Sequence, residues 1–379
     1  MKKSESEISA NLLRCIATLF VFLLHGREYV INVDRLPYVL KWLTCFPAWA
    51  GVWIFVFLSG YGIGCCFFSG KYSLFNEGKI SAKHFMKFYI RRFIRLAPIY
   101  YLYCILFEIY NGQFYFWNNR SCFIKMLTFT FNGNGGISGL GHLWYVSLAM
   151  QLYLFMPFIY LILRILRESK YTLLGLFIGV ASMGLWLRFW MANKGYDWYT
   201  YSYTNCFLNM DLVILGMIIA EVKVHYEISI GKKSLVKCLT SVLFLSLVLY
   251  NCYIYQEGSI NYLSIYRNVL PSAYAIICGL IILLAEKRNL SVISLIFERA
   301  VCGFSKYSYG FYIFHIVVFN YLSLTMVQSN FFSNLSVIGQ YTIFFLVSFI
   351  ITLILAIPLT FIEKSISLKY KKLEEKVFK

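Results

Sequence analysis

Arg14 and His25 lie in the first strongly apolar stretch of the chain, and an ionisable side chain at membrane depth is costly enough that function is its default explanation. Eleven residues of helix turn through roughly 1100°, back to within about 20° of the starting face, and rise roughly 16 Å. One helix face thus carries a guanidinium low down and an imidazole higher up. Arginine keeps its proton at any accessible pH, whereas histidine near pKa ~6.5 takes and gives one. The pair therefore suits an anion clamp beside an acid–base group. A helix-packing arginine and a hydrogen-bonded histidine are the structural alternative.

Four further constellations carry chemical potential. Arg92 and Arg95 are three apart and project from one side of a helix, with Arg91 beside them and Pro98 beyond. Paired guanidinium forks favour phosphate, although arginines at an inner membrane face also serve topology. The run Gly141-His142-Leu143-Trp144-Tyr145 places His142 and Trp144 at an outer interface, where a tryptophan commonly anchors. Ser59-Gly60-Tyr61 offers a hydroxyl and a close backbone approach, or simply tight helix packing. His315 sits about two turns into a late apolar segment. Asp211 lies in another, ready either to pair with a cation such as Arg14 or to orient a histidine.

These residues need helices to hold them in a bilayer. With 60% hydrophobic, 20% aromatic and 14% charged residues over 379 positions, the composition is that of an all-α, multi-pass membrane protein rather than a soluble one. Ten apolar segments of spanning length are expected, over 8–26, 45–68, 88–110, 143–165, 172–191, 205–222, 236–255, 267–285, 307–328 and 339–363. The formal charge of +18 is distributed by loop, not as a nucleic-acid-binding face. Segments alternating from the N-terminus hold 26 Lys and Arg on one side and 8 on the other, Arg188 counted among the latter, with Arg14 inside the membrane. Such bias puts both termini in the cytoplasm. The first segment lacks a small-residue cleavage site after His25 and reads as a retained helix. Eleven cysteines form no C-x-x-C and no His/Cys cluster of metal spacing, so neither a metal site nor a disulfide framework is indicated.

The chain reads as one membrane domain over 1–379, with a basic cytoplasmic tail over 364–379. Two connections are more than loops. The stretch from Lys71 to Arg95 mixes aromatic and cationic residues as an interfacial amphipathic helix would. The segment 111–142 contains an apolar piece, Phe123 to Phe131, too short to span, then the glycine-rich Asn132 to Gly141. That pattern fits a re-entrant or surface-lying cover.

Taken together and in order, these motifs resemble the bacterial acyltransferase 3 family of integral membrane proteins. Arg14-x10-His25 is similar to its first-helix signature, Gly51 to Tyr61 to its second-helix motif, and Arg92-x-x-Arg95 with Pro98 to its third. His142-Leu143-Trp144-Tyr145 through Tyr153 and Pro157 resembles its HLW segment, and Ser308 through His315 its SY..YL.H segment, so the resemblance covers roughly 10–320. It implies transfer of an acyl group, usually acetyl from cytoplasmic acetyl-CoA, to a hydroxyl of an extracytoplasmic or lipid-linked glycan, in the bacterial inner membrane. No permanently bound cofactor is implied, acetyl-CoA or another acyl-CoA being a co-substrate. By this resemblance His25 is the general base, with His142 and His315 as further catalytic candidates, Arg14 near the donor, and Arg91, Arg92 and Arg95 on the CoA phosphates. Trp144, Tyr61 and Ser59 are candidates for an oxyanion donor. Where many members have acidic residues after the HLW segment this chain has Ala149 and Met150, and it has Asn209 where relatives often carry an arginine. No hydrolase-like domain is expected after the tenth span.

The competing reading is a lipid-linked glycan exporter or flippase, with buried Arg and His residues lining a translocation path. The inner arginine pair, aligned with an intramembrane histidine column, favours the enzyme.

Overall fold

Runs of leucine, isoleucine and phenylalanine without water to bond the backbone leave the helix as the available open-chain structure, and the chain is helical almost throughout. The computed structural model describes residues 5–29, 35–45, 48–111, 118–132, 139–226, 233–257, 260–285, 292–327 and 329–377. Its helices are α1 (Glu5–Arg27), α2 (Tyr38–Leu43), α3 (Ala48–Phe68), α4 (Ala82–Asn111), α5 (Arg120–Leu127), α6 (Trp144–Leu166) and α7 (Lys170–Asn193). They continue with α8 (Met210–His225), α9 (Lys233–Glu257), α10 (Ile260–Leu283), α11 (Val292–Val327) and α12 (Val337–Val377). A two-residue-strand hairpin, Phe75–Asn76 with Lys79–Ile80, precedes α4.

A helix stands at each of the ten expected spans. Among the described residues, however, eight helical stretches are long and apolar enough to cross a membrane. The sixth expected span is α8, only 16 residues and so roughly 24 Å long, preceded by a tight turn at Phe207–Asn209. In the eighth, α10 runs over Ile260–Leu283, with Arg267–Leu283 as its described apolar stretch. The chain is a multi-pass helical membrane protein, with eight helices of spanning length and hydropathy among the described residues.

Several local expectations are corrected. The basic stretch before Arg95 is no separate interfacial helix: after the hairpin, α4 runs unbroken from Ala82 through Pro98 to Asn111. The tail over 364–379 is helical as far as Val377, because α12 continues into it. Helix α11 begins at Val292, so His315 lies near its middle rather than two turns from an end.

The chain packs as two compact units. One comprises residues 1–72 and 158–305, the other 73–157 and 306–379. In the first, Leu13, Ala17, Phe20, Val21 and Leu24 form a buried stripe at helical spacing along α1. Helices α3 and α8 meet at glycines: a Cβ on Gly60 would collide with the Val213 backbone, and one on Gly216 with the Phe57 carbonyl. Gly60 therefore serves packing, the reading that small residues in membrane helices usually take. In the second unit, α4 packs on α12, and Gly310 of α11 lies against Ala356 of α12.

Candidate active site

In the first unit, Arg14 and His25 sit on one uninterrupted helix, both half-buried, His25 in its last turn. Arg14 Nη1 donates to Asn11 Oδ1 at 3.0 Å, and that oxygen also accepts from Ser305 Oγ at 2.7 Å. Cys15 Sγ donates to the Val301 carbonyl, at 3.3 Å. These bonds tie the lower half of α1 to the first turns of α11 and hold the Arg14 stem. Ser59 gives its hydroxyl hydrogen to the Phe55 carbonyl one turn back, at 2.9 Å. Tyr61 is buried, its hydroxyl engaged with the Ser6 side chain.

Asp211 does not pair with Arg14 or with a histidine. It accepts two bonds from Arg188 of α7, at 3.2 and 2.7 Å, and Arg188 also donates to Ser272 and to the carbonyls of Asn268 and Leu208. Arg188 is only 2% exposed. It is a buried ion-pair partner rather than the outer-loop cation that a charge count makes it. A signal was available in the sequence, since Arg188 falls inside the span expected over 172–191, as Arg14 falls inside the first. Asn209, where relatives often carry an arginine, places its amide nitrogen within hydrogen-bond distance of the Ser202, Tyr203 and Asn205 carbonyls.

In the second unit the three arginines of α4 part company. Arg91 makes a two-point pair with Glu374 of α12, at 3.0 and 2.7 Å, and Lys87 reaches the same carboxylate at 3.5 Å. This pair pins the helical tail to α4 and gives Arg91 a carboxylate partner. Arg92 is 7% exposed, its guanidinium carbon 5.5 Å from the Phe88 ring and 5.8 Å from Tyr153. Arg95, one turn on, is exposed and in electrostatic contact with Glu363. One guanidinium therefore has an aromatic bed, and the next is exposed beside a carboxylate.

His142 and Trp144 are buried within the protein. His142 Nε2 lies 2.8 Å from the Ile313 carbonyl, and its own carbonyl accepts from the Tyr312 hydroxyl. His315, 1% exposed, has Nδ1 at 2.5 Å from the Tyr312 carbonyl, and its ring centroid is 5.4 Å from that of His142. A carbonyl only accepts, so each nitrogen facing one carries the proton. His142 thus donates through Nε2–H and His315 through Nδ1–H. Tyr312, which the sequence places in the motif leading to His315 without a role of its own, touches both histidines, accepting from one and donating to the backbone of the other.

The segment over 118–132 lies along α4: Tyr100 and Tyr101 donate to the Met126 and Leu127 carbonyls, and Phe129 packs on Phe93. Between α4 and α5 lies an apolar cavity of about 840 Å³, with Glu108 and Arg120 among its lining residues. Of the glycine-rich stretch after it, 133–138 lies outside the described residues.

A family model described as an acyltransferase domain, acyltransferase 3, matches residues 7–360. No curated protein and no solved structure matches the chain. The matched span contains every motif named above, the Arg14–His25 helix and both buried histidines included. Since the match runs over nearly the whole of a multi-pass helical chain, this protein belongs to the acyltransferase 3 family and is a membrane acyltransferase.

Proposed function

We propose that this enzyme takes an acyl group, acetyl, from CoA thioester on the cytoplasmic side of a bacterial inner membrane and passes it to a hydroxyl of an extracytoplasmic or lipid-linked saccharide. The observation that carries this reading is the single-helix column of Arg14 and His25, a fixed cation and a titratable imidazole kept inside a spanning segment at the cost of burying both. In the proposed reaction His25 accepts the proton of the saccharide hydroxyl as its oxygen attacks the thioester carbonyl. The tetrahedral intermediate then collapses, the C–S bond breaks, and the CoA thiolate leaves with a proton returned from the imidazolium. An ester forms and a thioester is consumed, without a covalent enzyme intermediate. Arg92 and Arg95 hold phosphates of the donor, as paired guanidinium groups do, and Arg14 stands near the donor. His142 and His315, each held by a backbone carbonyl, remain candidates for a proton-transfer step. Tyr61 and Trp144 are candidates for the oxyanion donor. Ser59 is weaker in that role, because its hydrogen is already given to Phe55.

The test uses purified full-length protein in detergent. Acetyl-CoA raises the unfolding temperature of the wild type, and Arg92→Ala removes that rise. His25→Ala retains the rise but loses acetyl transfer by roughly a hundredfold or more, the contribution of a positioned general base. Unchanged transfer by His25→Ala overturns its assignment as base.

A further inference from the structure

The connection between α7 and α8 carries a second group of residues that none of this chemistry uses. After Asn193 the chain turns at Gly195, a glycine with φ of 73°, and forms a π-helical turn over Tyr199–Tyr203. Single π turns are frequent at functional sites, because the wider turn re-aims side chains. Behind this turn lies an aromatic base. Trp198 stacks on Tyr203 with ring centroids 4.9 Å apart and meets Trp49 at 4.8 Å, while Trp53 meets Tyr203 edge-on at 6.2 Å. In front, Tyr196 and Tyr201 are 46% and 43% exposed with ring centroids 5.0 Å apart.

Two charged groups belong to the same neighbourhood, one at the turn and one over Trp198. Asp197 is exposed and held by the Thr200 backbone N–H at 2.8 Å. Bonds from Thr200 keep its carboxyl below the ordinary carboxylate range, with Arg267 adding a smaller push in the same direction. It is thus an anion at neutral pH. The Arg267 guanidinium lies 4.9 Å from the Trp198 ring, and its Nε is a buried donor without a hydrogen-bond partner among the described residues. A buried, unsatisfied donor of this kind calls for a missing partner.

We propose that Tyr196, Asp197, Tyr201 and Arg267 form a binding face for a saccharide, the acyl acceptor of the reaction proposed above. A pyranose ring offers one face of C–H groups to aromatic π surfaces and an edge of hydroxyls to an ionised carboxylate and a guanidinium. The four residues supply both halves of that recognition. Two exposed rings next to two opposite charges do not suit a hydrocarbon chain, which has nothing to offer the charges. The inference rests on the acceptor being a saccharide, and on the positive-inside bias that places the α7–α8 connection outside the cell.

The test is made in cells expressing the full chain in a deletion background, with ester-linked acetate on their own surface glycans measured by mass spectrometry. The double variant Tyr196→Ala/Tyr201→Ala is expected to lower that acetate about tenfold or more, since removing each aromatic ring weakens saccharide binding by roughly three- to tenfold. Tyr196→Phe/Tyr201→Phe recovers most of it, and Asp197→Asn reduces it. The acetyl-CoA thermal shift and the amount of protein in the membrane stay at wild-type values in all three. Wild-type acetate in the double alanine variant overturns the proposal, and the tyrosines are then interfacial anchors. A fall in the phenylalanine variant equal to that in alanine also overturns it. A wild-type chain that adds no acetate to any saccharide overturns the acceptor reading itself, and this proposal with it.

Discussion

Arg188 and Asp211 are both buried, and each alone would cost several kcal/mol to desolvate; together they satisfy one another, a carbonyl just before α8 and a carbonyl within α10. Arg188→Met should destabilise the protein by about 3–5 kcal/mol, because it strands the Asp211 carboxylate. Arg188→Met/Asp211→Leu should recover a large part, since an apolar pair of similar volume leaves no orphaned charge. Thermal unfolding in detergent, followed for both variants and the wild type, checks this; equal destabilisation in both would show that the ion pair is not the source. The same pair marks where residue-level reading succeeds. Arg14 and His25 were legible because burial in a first helix and an eleven-residue spacing are properties of a linear chain. Arg188 looked like a loop cation, because its partner is 23 residues away on the next helix and only folding brings it close.

At the scale of elements, hydropathy and helical periodicity placed a helix at each of the ten expected spans, since each depends on its own residues. Their ends depend on neighbours. Helix α11 extends back to Val292 through Glu298, Arg299 and Lys306, charges that suggest a loop, because its opening turns bury Val301 and Cys302 and bond to α1. Helix α8 stays short because it is buried along most of its length and needs no full lipid-facing span. Its packing against α3 makes a sharp prediction. Gly216→Ala puts a methyl group into the Phe57 carbonyl and should cost about 1–3 kcal/mol, the ordinary penalty of overpacking. Gly62→Ala, whose Cβ meets nothing within 4 Å, should be neutral or gain up to about 1 kcal/mol from helix propensity. The difference between the two unfolding midpoints is the measurement, and a Gly216→Ala midpoint at or above that of Gly62→Ala would refute the close α3–α8 approach.

For the whole molecule, the alternation of 26 against 8 basic residues sets an orientation that can be read without disturbing the fold. In a variant with its eleven cysteines replaced, single cysteines at Lys194 and Lys369 should respond oppositely to a membrane-impermeant maleimide on intact cells. Position 194 should label directly, and position 369 only after permeabilisation. The reverse pattern would invert the topology and put Arg92 and Arg95 on the wrong side for a cytoplasmic donor.

Composition, hydropathy and motif order determined the class of protein, the helices and the family, because each is carried by residues close in sequence or by their order along it. Tertiary structure decided which carboxylate or ring each cation meets. Arg91 went to Glu374 and Arg188 to Asp211, while Arg92 came to rest among aromatic rings. It also decided that two imidazoles 173 residues apart should be neighbours, each held by a backbone carbonyl. The reason is that a charge or a ring nitrogen is defined by its nearest partner, and in a helical membrane protein that partner is supplied by another helix.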